Sequence, residues 1–124
     1  MLVHHNMRKS ITIPQLKSKA QSVFNKWIRE RDKELGCISC GAKVDHAGHY
    51  FSSGHYSALT FDEDNVHGQC LRCNNFMHGN LINYRMGLVD RYGDKYVINL
   101  EKKSRNKIAK YSREQLFDII DKYK

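Results

Sequence analysis

No stretch of this 124-residue chain approaches the ~20 consecutive apolar residues that a membrane-crossing helix needs. Residues Met1 to Ser10 are partly basic but lack the apolar core of a secretory signal, so an intracellular location is expected. There is no internal repeat and no low-complexity segment, which excludes solenoids and repetitive linkers. Cysteine is sparse, with four in all, and in a reducing compartment paired thiols serve as metal ligands more readily than as disulfides. With 40% apolar residues, the chain is long enough for one small core and too short for two.

What is present is unevenly placed. The net charge of +8 divides into basic flanks and an acidic middle: residues 1–36 hold eight Lys/Arg against three Asp/Glu, residues 37–80 two against four, and residues 81–124 eleven against six. Such flanks suit a polyanion, while an acidic centre with thiolates suits cations. Taken singly, most of these Lys and Arg do no more than solvate helix faces.

The four cysteines form two C-x-x-C knuckles, Cys37/Cys40 and Cys70/Cys73, with the spacing of a tetrahedral zinc site. Between them lie His46, His49, His55, Asn65 and His67, and Asn74 follows the last knuckle. One zinc would thus staple an insert that carries a second set of metal-binding and proton-transferring groups. Imidazole titrates in the range a general base requires, and a carboxamide oxygen is a neutral acceptor.

Hydrophobic spacing predicts a helix from Pro14 to Leu35, with Leu16, Ala20, Val23, Phe24, Trp27 and Ile28 inward and Gly36 as its stop. Lys17, Lys19, Lys26, Arg29 and Lys33 occupy its other face, and Trp27 is read as packing rather than as a base-stacking group. Strands are predicted near Val44 to Phe51 and Tyr56 to Phe61, forming a hairpin. Helical spacing resumes after Cys73 and closes at Gly93, with Gly79-Asn80 as a potential break. A last helix opens at Ser112, where Gln115 completes a capping box.

The ordered motifs Cys37-x-x-Cys40, His46-Ala47-Gly48-His49-Tyr50 and Phe61 through Asn74 resemble the NinG/Rap recombination nucleases of lambdoid phages, within the HNH or ββα-metal superfamily. The chain is also similar to phage endonuclease VII, a Holliday-junction resolvase, in placing a ligand three residues before a His and an Asn after the second knuckle. The resemblance implies an α+β fold, with a zinc-stapled ββα-metal (HNH, treble-clef-like) core and flanking α-helices. It implies a flexible segment at 1–12, a nuclease core at 13–93 and a basic helical arm at 94–124.

By the same resemblance, His49 is the general base, and Asn74 and His46 hold a catalytic divalent ion, Mg2+ or Mn2+. Cys37, Cys40, Cys70 and Cys73 hold structural Zn2+. Asn65 matches the middle Asn of the HNH signature, a position that pins the loop backbone. The relatives have Asp where this chain has His46, and imidazole suits Mn better than Mg. Asp45 is the alternative ligand, because on a regular strand it shares a face with His49 while His46 points the other way. His67 is open between contact with the site and turn support; His55 is read as an exposed loop residue; His78, four after Asn74, is a further candidate ligand. DNA, in particular branched DNA, is the implied partner, with a homodimer to make paired cuts and the cytoplasm of a bacterial host as the setting.

Overall fold

The computed structural model describes residues 10–124. The expectation of a flexible N-terminus therefore lies, for residues 1–9, outside the described part. The elements run α1 (Ile13–Asp32), β1 (His46–His49), a 3-10 turn (Ser57–Leu59), β2 (Val66–Gln69), a π-type turn (Arg72–Phe76), α2 (Leu81–Tyr92), α3 (Asp94–Lys103) and α4 (Arg113–Tyr123).

Helix α1 starts where Thr12 can cap it: its Oγ1 accepts from the Gln15 N–H, and the Gln15 side-chain oxygen accepts from the Thr12 N–H. Pro14 occupies the first turn, where no backbone donor is needed. Leu16, Ala20, Phe24, Ile28 and Asp32, four apart and all buried, form the inward stripe. Leu16 and Ala20 pack against Leu116, Phe117 and Ile120 of α4. Phe24 and Ile28 meet Val66 of β2 and Tyr123 of α4. Trp27 packs edge-on to Tyr123 at 5.0 Å, with the Arg31 guanidinium over its ring.

The stripe ends in an acid with a structural task. Arg31 grips the Asp32 carboxylate through two contacts of 2.7 and 2.8 Å, and the same carboxylate accepts the Gly68 N–H at 2.8 Å. Burial would raise this carboxyl, but Arg31 and the Gly68 donor outweigh it and hold it below its ordinary range. The end of α1 is thereby bolted to β2. The helix stops at Asp32, three residues short of the Leu35 expected, because the Leu35 and Gly36 N–H groups both turn back to the Asp32 carbonyl.

β1 and β2 pair antiparallel in a two-stranded sheet, His46 opposite Gln69 and His49 opposite Val66. The second strand differs from the one predicted at Tyr56 to Phe61. That run turns instead, since Ser57 trades hydrogen bonds with the Ala109 backbone and the Thr60 hydroxyl bonds the Ser57 carbonyl, diverting the groups a ladder would use.

After Cys73 the helical run is broken where the sequence offered Gly79-Asn80 as a break. His78, Gly79 and Asn80 have φ of 50°, 91° and 46°, so regular helix resumes only at Leu81. α2 then lies close over the first knuckle: a Cβ at Gly87 would fall 1.9 Å from the Ile38 carbonyl oxygen. Ile38 joins Tyr84 and Leu88 of α2 and Val97 and Leu100 of α3 in one cluster. Residues 94–124, expected as a basic helical arm, form α3 and α4, and both bury apolar faces against the rest. Ser112 and Gln115 make the capping box read from the sequence. Among the described residues no helix is long and apolar enough to cross a membrane.

Candidate functional site

The Sγ atoms of Cys37, Cys40, Cys70 and Cys73 lie within 4.8 Å of one another, and all four thiols are free of disulfides. A tetrahedron of Zn–S bonds near 2.3 Å requires sulfurs about 3.8 Å apart, and Cys40 and Cys70 stand 3.6 Å apart. The Cys73 N–H points at Cys70 Sγ and the Asn80 side-chain amide at Cys73 Sγ, each at 3.4 Å, donors that suit thiolate charge. The donor set fits a tetrahedral thiophilic ion. Its position ties the turn after α1 to the turn after β2.

His49 ends β1. Its Nε2 lies 2.9 Å from the Thr60 carbonyl oxygen, which can only accept, so Nε2 carries the proton and Nδ1 keeps a lone pair. Burial depresses the imidazole pKa, with the Thr60 carbonyl partly offsetting it, so the ring is neutral at neutral pH. The ring edges an open cleft of about 350 Å³ shared with Tyr50, Tyr56, His78 and Leu81.

Asn74 is brought to the neighbouring residue. Its N–H closes a turn on the Cys70 carbonyl at 3.0 Å, and its Oδ1 lies 3.1 Å from where a Cβ on Gly48 would stand. His46 shares that strand face with Gly48, since alternate residues of β1 point the same way. Asp45 precedes the strand, and its Oδ2 accepts the Leu71 N–H at 3.0 Å, which caps the second knuckle. Among the described residues the four cysteines are the one set of three or more His, Cys, Asp or Glu side chains placed to share an ion. Asp45, His46, His49 and His78 do not form another.

Asn65 is fully buried and spends its amide on backbone: Nδ2 donates to the Phe51 and Leu59 carbonyls at 2.9 and 3.1 Å, and Oδ1 accepts the Phe51 N–H at 2.8 Å. It shapes the loop that supplies Thr60 to His49. His67 is also interior, its Nδ1 3.1 Å from the Tyr84 hydroxyl and its Nε2 3.2 Å from that of Tyr96. Desolvation first, then the Arg31 charge, push its pKa down to about 3, so it is a neutral packing group without access to a substrate. His55 is exposed and bonds the Ser52 hydroxyl within its own turn. His78 reaches the His49 cleft through its left-handed backbone rather than along a helix from Asn74.

Two contributors carry no signal in the sequence. The Thr60 group that sets the His49 tautomer is a backbone carbonyl, invisible to residue type. Tyr84, whose hydroxyl donates to the Gly48 carbonyl at 2.7 Å, reads as one more helical apolar position although it fixes the strand beside Asn74.

Fold and sulfur cluster together define a small α+β protein in which a two-stranded sheet sits on a four-cysteine knuckle pair. The chain belongs to the family described as bacteriophage lambda NinG protein, whose model matches residues 4–124. It is 45% identical to the NinG protein of Escherichia phage 933W and to that of Salmonella phage P22, and 44% identical to that of Escherichia phage lambda. Each match runs over 85 residues, covering 66% of this chain and 42% of the relative, so the chain aligns with less than half the length of these curated proteins. No solved structure matches.

Proposed function

We propose that the chain is a divalent-metal-dependent endonuclease that hydrolyses phosphodiester bonds in branched DNA, built on a core of the HNH (ββα-metal) kind with structural zinc in the knuckles. One observation carries the reading: a neutral histidine whose proton sits on Nε2 lines a cleft, and a Cβ on the residue before it in the strand would stand 3.1 Å from Asn74 Oδ1. His49 takes the proton of the attacking water through Nδ1, while the Thr60 carbonyl holds the ring and stabilises the imidazolium that forms. Asn74, with His46 on the same strand face, would hold Mn2+ or Mg2+; Asp45 is already engaged at the knuckle. When bound, that ion supplies charge neutralisation for the phosphate and the leaving 3′ oxygen. The products are a 5′-phosphate and a 3′-hydroxyl.

The DNA is gripped outside the cleft. The polar side of α1 forms a shallow trough of about 630 Å³ lined by Lys17, Ser18, Asn25 and Arg29, and Lys102 in the last turn of α3 and Arg105, Lys107 and Lys110 beyond it are exposed. Opposed cuts on two strands of a junction call for two active sites, hence a homodimer.

The test is cleavage of a synthetic four-way junction with Mn2+ or Mg2+, against EDTA and a linear duplex. Replacing His49 by Ala should reduce cleavage by ~10²–10⁴ and leave junction binding in place. Binding without cleavage by the wild-type chain in either metal would instead identify a zinc-stapled DNA-binding module. Equal cleavage of the linear duplex would remove the branched-DNA preference.

A further inference from the structure

Gln69 ends β2 and is fully buried. Its Nε2 donates to the Ser39 hydroxyl at 2.8 Å and to the Gly79 carbonyl at 2.7 Å. Because a carbonyl can only accept, the Gln69 amide has one orientation: nitrogen toward Gly79, oxygen away from it. That oxygen, Oε1, is buried and among the described residues has no hydrogen-bond partner. A buried acceptor left alone forfeits its solvation without return, so its surroundings should contain a donor.

The group beside it is Asn74. A Cβ built on Gly48 would lie 1.9 Å from Gln69 Oε1 and 3.1 Å from Asn74 Oδ1, so both carboxamides turn an oxygen toward the same spot beside the Gly48 backbone. The Asn74 amide is otherwise held by one 3.3 Å contact from Nδ2 to the exposed Asn75 side chain. Half a turn about its last side-chain bond exchanges its nitrogen and oxygen at almost no steric cost.

We propose that Gln69 is the positioning residue for Asn74: Asn74 Nδ2–H donates to the stranded Gln69 Oε1, and Asn74 Oδ1 thereby faces outward. This rests on the reading of Asn74 as a ligand. A carboxamide that presents its NH2 repels a cation and one that presents its oxygen attracts it, so a single internal hydrogen bond selects the competent face. The glycine at position 48 follows from the same arrangement, since any side chain there would occupy the place where the two amides meet.

The orientation is measurable without activity. In the zinc-loaded, isotope-labelled chain, the Asn74 side-chain amide should show a scalar coupling across its hydrogen bond to Gln69 Cδ. Its protons should exchange with water about tenfold faster in Gln69→Met and in Gly48→Ala. Absence of the coupling in the wild-type chain overturns the proposal, as does unchanged exchange in a variant that keeps its zinc and its fold. A Mn2+ titration separates the two layers. Coupling together with paramagnetic broadening at Asn74 supports both; coupling without broadening supports the Gln69 orientation and removes Asn74 from the metal.

Discussion

The two ends of the molecule are held by different forces. At one end α1 and α4 bury Leu16, Ala20, Leu116, Phe117 and Ile120 in an ordinary apolar seam. At the other, residues 37–80 contain two four-residue strands and a run of left-handed backbone, and their cohesion comes from four sulfurs, Asn65, Gln69 and the Asp32 bolt. The helical end needs only approximate shape to be stable. The cysteine end places single atoms, such as the Thr60 oxygen under His49, and it does so with directional bonds.

The largest expected contrast comes from removing the metal. Structural zinc sites contribute ~10–16 kcal/mol of apparent folding free energy, so a strong chelator should unfold the chain, seen as loss of far-UV and near-UV dichroism together. Phe117→Ala, in the seam, should cost ~3–5 kcal/mol and leave zinc stoichiometry unchanged. If the chelated chain kept its dichroism, the cysteine end would not depend on the ion.

A smaller contrast is set by pH. His67 is held neutral down to about pH 3 in the folded chain, whereas an unfolded histidine charges near 6.5. Its contribution to stability is therefore complete above that ordinary value and is lost progressively as the pH falls from about 6.5 toward 3. At pH 5 the loss should be about 2 kcal/mol. Urea unfolding at pH 7 and pH 5 measures it, and the difference between the two should shrink in His67→Phe. An unchanged difference would show that His67 is not the source of the acid sensitivity and leave it to other groups, the buried His49 among them.

The smallest contrast returns to the helical end. Ser112→Ala removes the cap of α4 and should cost about 1 kcal/mol in urea unfolding. The proposed cleavage should be untouched, because among the described residues α4 supplies none that line the cleft or the cysteine cluster.

The same division governs what could be read from the sequence. α1, the close at Gly93 and the start of α4 follow from spacing and caps, which are local. The knuckles follow from cysteine spacing, and the four thiols do converge. The second strand was misplaced because Tyr56 to Phe61 has a strand-like composition, while its Ser57 hydroxyl is bound to a distant part of the chain at Ala109. α3 was read only as part of a helical arm, without bounds, because its apolar spacing is short and follows α2 with only Gly93 between them. Nor does residue type reveal that Asn74 comes beside Gly48 or that His49 leans on the Thr60 carbonyl, since both depend on how β1, β2 and the loop held by Asn65 come together.

The α1–α4 seam also bears on synthesis. Arg113 reaches back to the Ile11 carbonyl across 102 positions, and the stripe of α1 has its main apolar partners on that same last helix. A nascent chain thus exposes a greasy helix from the moment α1 leaves the ribosome until α4 has followed. The cysteines, about thirty positions apart, can gather much earlier. Translation should therefore let the cysteine half gather before α1 closes on α4, like a clasp.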